Sequence, residues 1–216
     1  MPGVFGFTRK GQSTSIEAVQ KVMTLYPYFK QDELFEDDFV AASRVHLNKI
    51  GEKSSPEVSY AEEHDGVSIW IEGEAYNLLE LSDSFGYDAS TGFRMALLKA
   101  YENDQLDAFL NQLDGYFCAV IYDRNKSELK LISDRYGMRM LYWYWHKDQF
   151  AWASEVKGIL ALDGIDKTID PTSFECFMDL GYLLGEHTWF ERIKLIKPAT
   201  VITFDLLKRD ITQYHY

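Results

Sequence analysis

The residues of this 216-residue sequence that could do chemistry are few and scattered. The densest carboxylate run, Gln31-Asp32-Glu33-Leu34-Phe35-Glu36-Asp37-Asp38, could gather around a cation. A calcium loop needs oxygen ligands at fixed offsets and a glycine at its sixth place. Leu34 and Phe35 interrupt the ligands and no glycine stands at that place, so the run predicts a solvated turn and no metal site. His46, His64, His146, His187 and His215 have no Cys or Glu at ligand spacing, which makes them surface or structural residues and gives zinc no support. Cys118, in Tyr-Phe-Cys-Ala-Val-Ile-Tyr, and Cys176, in Phe-Glu-Cys-Phe, occupy apolar settings where a thiol behaves as a small core residue and not as a nucleophile. The aromatic run Tyr142-Trp143-Tyr144-Trp145 could stack on bases or sugars, yet strand alternation sends its members to opposite faces, one to the core and the other towards a partner.

The elements that position these residues can be read from periodicity and punctuation. Val4-Phe5-Gly6-Phe7, closed by a polar turn from Thr8 to Ser13, predicts a first strand buried from its start. Thr14 followed by Glu17 has the form of a capping box, and Ile16, Val19, Val22, Met23 and Tyr26 recur at helical spacing up to Pro27. Residues 28 to 66 are polar and irregular, with a strand expected around Phe39 to Leu47. Val67 to Ile71 predicts another strand, with Glu72 to Asn77 turning out of it. Two helices are expected next, one faced by Phe93, Leu97, Ala100 and Tyr101, the other by Leu106, Phe109, Leu110 and Leu113 and stopping at Asp114-Gly115. Strands follow at 116–122, 129–132, 141–145 and 150–153, with an antiparallel meander as the expected arrangement. Helices return at 154–162 and 171–183, the second capped by Asp170 with Pro171 at its first position, and strands at 199–205 and 211–214 end the sequence. The pattern is an α+β fold in one domain, residues 1–216, with helices covering sheet faces and no repeat or linker.

Several blocks carry a family resemblance. Met1-Pro2-Gly3-Val4-Phe5-Gly6 resembles the Met-Cys-Gly-Ile-Phe-Gly opening of class II glutamine amidotransferases, in which Met is removed and the exposed Cys attacks glutamine. Glu72-Gly73-Glu74-Ala75-Tyr76-Asn77 resembles their Asn-Gly-Glu-Ile-Tyr-Asn segment. Leu113 to Phe117 through Asp123, Asp134-Arg135-Tyr136-Gly137 through Tyr142, and Ala153-Ser154-Glu155-Val156-Lys157 resemble three further blocks of the asparagine-synthetase branch, in the same order. Five blocks in one order are far more specific than one short motif. The resemblance implies an N-terminal nucleophile hydrolase architecture, an αββα four-layer sandwich with two antiparallel sheets stacked between helical layers.

The same resemblance implies that the glutaminase site is degenerate. The family nucleophile is an N-terminal Cys whose own α-amine serves as base; Pro2 stands there and has no nucleophilic side-chain atom. The family's Asn side chain and the following Gly N–H stabilise the oxyanion, each donor contributing roughly 3 to 4 kcal/mol in other hydrolases. Glu72 occupies the Asn position, where a carboxylate repels an oxyanion and only its protonated form could donate, whereas Gly73 is retained. Substrate contacts are implied for Arg44, Gly73 and Glu74, with Arg44 on the α-carboxylate of glutamine. The Asp that holds the α-amine has no counterpart in Ser90-Thr91-Gly92-Phe93-Arg94, since Asp88 has the wrong offset, and the family's Arg-Gly-Pro-Asp segment before Arg44 is missing. Asp134 to Gly137 and Ala153 to Glu155 are read as structural, holding turns and contacts between layers.

Composition narrows the partners. Against 34 acidic residues stand 22 Lys and Arg, a formal charge of -12, which argues against nucleic acid because phosphate binding needs concentrated positive charge. With 46% hydrophobic and 15% aromatic residues the chain can bury a core, and it is not a disordered segment. No apolar leader or membrane-length apolar run is present, which points to a cytoplasmic protein without a membrane partner. No cofactor is implied. By resemblance to the N-terminal domains of β-lactam synthetases and lasso-peptide cyclases, the chain is expected to be a structural or docking module for an ATP-dependent amide-forming domain or protein, and self-association as a homodimer is compatible with that role. Ile211 to Tyr216 resembles the passage into a synthetase domain, while no Ser-Gly-Gly-x-Asp-Ser nucleotide sequence occurs in this chain. Two alternatives stay open: an active glutaminase using Ser13 or Thr8 as nucleophile, and a sensor in which Arg44 and the former pocket bind glutamine or another amino acid without turnover.

Overall fold

The computed structural model describes residues 3–47 and 64–216, which form two compact parts. The first comprises residues 3–47 and 140–197, the second residues 64–139 and 198–216.

The first part is built on a seven-stranded antiparallel sheet. β1 (Gly3–Thr8) is followed by α1 (Ile16–Met23), β2 (Phe29–Gln31), β3 (Phe35–Glu36) and β4 (Val40–Leu47). Helix α1 is capped by Ser15, whose side chain accepts from Ala18 N, and not by Thr14. Thr14 instead turns its hydroxyl to the N–H of Asp163, at 2.8 Å, tying the turn before the helix to a distant loop. α1 lays Ile16, Val19 and Met23 on Phe5, Phe7, Ala41 and Val45. The other face of these strands is buried too, with Val4 and Ala42 both 0% exposed. Burial on both faces explains why β1 reads as an unbroken apolar run and not as an alternation.

The second part holds a five-stranded antiparallel sheet. β5 (Val67–Ala75) runs on through Glu72 and Gly73, where a turn is expected from sequence, because both residues stay paired to the strand beside them. α2 (Leu78–Phe85), a short 3-10 turn (Ala89–Thr91), α3 (Gly92–Glu102) and α4 (Leu106–Gln112) come next. Their side chains Phe85, Leu97, Phe109 and Leu110 pack with Ile69, Ile71, Ala119 and Ile121 of the sheet. The sheet is completed by β6 (Gly115–Asp123), β7 (Glu128–Ser133) and, beyond the intervening segment, two strands at the end of the chain.

The expected four-strand meander does not form. β8 (Tyr142–His146) and β9 (Gln149–Ala153) pair with each other and, through β9, with β1 in the first sheet, while β6 and β7 belong to the second. Hairpin signals identify which neighbours pair but carry nothing about which sheet a hairpin joins. α5 (Val156–Leu160) and α6 (Pro171–Leu180) follow, α6 capped by Asp170, which accepts from Thr172 N. β10 (Ile193–Leu195) edges the first sheet, and β11 (Thr200–Asp205) with β12 (Ile211–His215) edges the second. Among the described residues no helix is long and apolar enough to cross a membrane.

Candidate functional site

Pro2 lies outside the described residues, and the strand that follows it is firmly held. Val4 N donates to the Ser154 hydroxyl at 3.0 Å, and Ser154 N donates to Val4 O at 2.9 Å. Gly3 lies so close to Ser154 that an added Cβ would fall 2.1 Å from the serine Cβ. The Ala153-Ser154-Glu155 block is therefore the clamp on the N-terminal strand.

Arg44 sits on β4 directly opposite Val4, two residues from the Pro2 position, with only 8% of its surface exposed. Its guanidinium is engaged inside the chain: Nε donates to Asp32 Oδ2 at 2.8 Å, and His46 Nε2 lies 3.1 Å from Asp32 Oδ1. Asp32 is further fixed by its backbone, whose N–H donates to Arg44 O and whose carbonyl accepts from Gln20 Nε2. The acidic run is thus not simply the expected solvated turn. Asp32 is the internal counter-ion of a strand arginine, and β3 lies within the run. Burial pushes the Asp32 carboxyl up, but the His46 hydrogen bond and the Arg44 charge together outweigh it and hold the group below the usual carboxylate range. A carboxyl depressed on folding stabilises the fold above its unfolded value, near 3.9, and that stabilisation is lost as pH falls below it. Asp32→Asn is expected to cost about 2 kcal/mol at neutral pH. Its melting temperature should also fall less steeply than the parent's between pH 5 and pH 3, as thermal melts would show.

Glu72 and Gly73 lie on β5 opposite Cys118 and Phe117 of β6. Glu72 is buried, 8% exposed, with Arg139 Nη2 3.8 Å from its Oε1. The Arg139 guanidinium also lies 4.9 Å above the centre of the Tyr116 ring. Arg139 is delivered by the Asp134-Arg135-Tyr136-Gly137 block. Asp134, with 0% exposure, accepts through Oδ1 from Tyr136 N and Met138 N and through Oδ2 from Phe117 N and Arg139 N. One carboxylate therefore shapes the loop and binds it to β6. Glu74, partly buried, stands opposite Tyr116 one step beyond Gly73. Asn77 closes the segment, donating to Gln112 O and accepting from Asp114 N.

Arg139 is missing from the sequence expectations, and Asp32 and His46, read there as part of a solvated turn and as a surface or structural residue, are not expected to meet at Arg44. A signal for Arg139 existed, since a Glu replacing Asn in an apolar strand calls for a nearby cation. The other candidates disperse. Thr8 is buried and shares its hydroxyl with the Phe150 backbone, about 17 Å along β1 from Gly3 at strand rise. Ser13 is hydrogen-bonded to Asp163, Asp88 caps the 3-10 turn through Ser90 N, and Cys176 is only half-buried, against the core setting expected of it. A shallow depression of about 190 Å³ opens between Asp114, Arg135 and Tyr136, and neither Arg44 nor Glu72 lines it.

The family model for the glutamine amidotransferase domain matches residues 1–216. The chain belongs to the glutamine amidotransferase domain family. This amidotransferase domain is 26% identical over 239 residues to a Methanocaldococcus jannaschii protein bearing the name asparagine synthetase (glutamine-hydrolyzing) 2, covering 100% of the chain and 46% of that protein. It is 26% identical over 178 residues to asparagine synthetase (glutamine-hydrolyzing) 1 of Bacillus subtilis, covering 80% of the chain and 27% of that enzyme. The chain thus spans at most about half of these curated relatives. Among solved structures, glutamine phosphoribosylpyrophosphate amidotransferase from B. subtilis matches with a TM-score of 0.59 and 13% identity, over 99% of this chain and 49% of the other. That likeness is one of fold, and the α+β arrangement with two antiparallel sheets is that of the amidotransferase domain.

Proposed function

We propose that this amidotransferase domain does not hydrolyse glutamine and serves as a structural or docking module for an ATP-dependent amide-forming domain or protein. The observation that carries the reading is Pro2 in the nucleophile position, immediately before a strand whose start is clamped by Ser154. β1 is held at Val4 by both hydrogen bonds to Ser154, and among the described residues Thr8 and Ser13, the alternative hydroxyl nucleophiles, are engaged with Phe150 and Asp163. Two further features, one in each part of the chain, add support. Glu72 and Arg139 form an ion pair where the family presents a neutral amide donor, and Arg44 is engaged by Asp32. Binding glutamine through Arg44 would require its carboxylate to share or displace an internal counter-ion, at the cost of a buried charge. The partner class is suggested by the asparagine synthetases it is similar to, which extend well beyond the matched region.

The test is release of glutamate and ammonia from glutamine by the purified protein. The expected rate is indistinguishable from that of buffer with glutamine, since loss of a catalytic nucleophile costs roughly a millionfold in other hydrolases. Because Glu72 and the missing amine anchor are separate losses, a Pro2→Cys variant with Met1 removed should stay silent as well. Release by the unchanged protein at rates typical of glutaminases would end this reading.

A further inference from the structure

Helix α6 leaves its apolar side chains in water. Ser173 is the one buried residue of the helix, while Phe174 is 50%, Met178 66% and Leu180 48% exposed. The chain then folds back beside it. After the left-handed Gly181 the Tyr182 carbonyl faces Cys176 Sγ at 3.7 Å, Asp170 N donates to Trp189 O at 3.0 Å, and the Trp189 ring meets Phe177 with centroids 4.7 Å apart. Tyr182 and Trp189 remain 58% and 37% exposed. These ties make the patch a preformed surface, and a group of large apolar side chains left exposed together marks a site of association.

Charge says what kind of partner fits. From Pro171 to Trp189 the chain carries Glu175, Asp179 and Glu186 and no Lys or Arg. Glu186 is paired with Lys197, whereas Glu175 and Asp179 form no ion pair among the described residues. A second copy docking α6 on α6 would bring these carboxylates together in a protein of net charge -12, and an anionic lipid surface would be repelled in the same way. An apolar centre with a cationic rim meets both requirements. We infer that the α6 face docks the ATP-dependent partner, through a surface of that partner that is apolar at its centre and lined by Lys or Arg. This inference rests on the docking reading above and adds to it the contact surface and the partner's chemistry.

The experiment uses the intact chain and, as probe, the portion of the M. jannaschii relative that this chain does not cover, produced separately. Binding is measured by calorimetry for the parent, for Phe174→Glu with Met178→Glu, and for Tyr28→Glu, an exposed aromatic outside α6. The double variant should bind roughly tenfold or more weakly, Tyr28→Glu should bind like the parent, and parental binding should weaken as salt is raised. Phe174→Ser with Met178→Ser carries the same expectation and covers the case in which the charged pair impairs folding. Equal binding by the double variant and the parent would overturn the α6 surface while leaving the docking reading intact. Absence of binding by the parent would overturn both. Sedimentation of a parental dimer that the double variant dissociates would make a second copy the occupant and overturn the proposed partner.

Discussion

Gly73→Ala is expected to destabilise the second part of the chain by about 3 to 5 kcal/mol, the sum of an overpacking cost and a strained backbone. Gly73 has φ +126, a conformation L side chains rarely adopt, and an alanine Cβ there would fall 2.1 Å from the Tyr116 carbonyl oxygen and 2.6 Å from Phe117 Cα. Both obstacles are backbone atoms of the paired strand, so no side chain can swing aside to relieve the clash. Relief requires β5 and β6 to part, and Glu72 is the adjacent residue on β5. Chemical denaturation should show the midpoint moving sharply down with little change in slope. An alanine variant as stable as the parent would mean that the two strands do not approach this closely at Gly73. The result bears on how the glycine is interpreted: in the family it supplies an oxyanion N–H, whereas here the steric demand alone is enough to require it.

Asp134→Ala should be of similar severity, about 4 kcal/mol. Four backbone N–H groups lose their acceptor at once, and each buried donor left unsatisfied costs roughly 1 to 3 kcal/mol before any relaxation or access of water. The donors Tyr136, Met138 and Arg139 belong to the loop, and Phe117 belongs to β6. Loss of the carboxylate therefore frees the loop from the strand and withdraws Arg139 from Glu72. Amide exchange gives a specific readout. Protection should fall first at Phe117 and Arg139, before the helices α3 and α4, because the loop opens locally before the core does. Asp134→Asn keeps one oxygen acceptor and should lie between the parent and the alanine variant. If the loop amides were as protected in the alanine variant as in the parent, the carboxylate would not be what organises the turn.

Helices α1, α3, α4 and α6 and the strands around Phe5, Ile69, Val120 and Trp152 follow from local pattern, since periodicity and caps act within a few residues. Motif order was equally local information, and with the family match it was enough to identify the fold class. The absence of a thiol at Pro2 and the carboxylate at Glu72 can be read from single letters. What these residues touch could not. That Asp32 leaves water to pair with Arg44 and His46 depends on β2 lying beside β4, a register set by side chains remote in sequence. Likewise, Arg139 reaches Glu72 only because Asp134 folds the loop between them, and β8 and β9 joined β1 instead of β7 because hairpins pair locally but choose their sheet through long-range burial. The exposure of α6 belongs to the same class: its sequence is that of an apolar helix, and only the packed chain decided that Phe174, Met178 and Leu180 stay largely exposed. Local preference sets what each segment can form, and the competition among all segments for buried surface sets which of them meet.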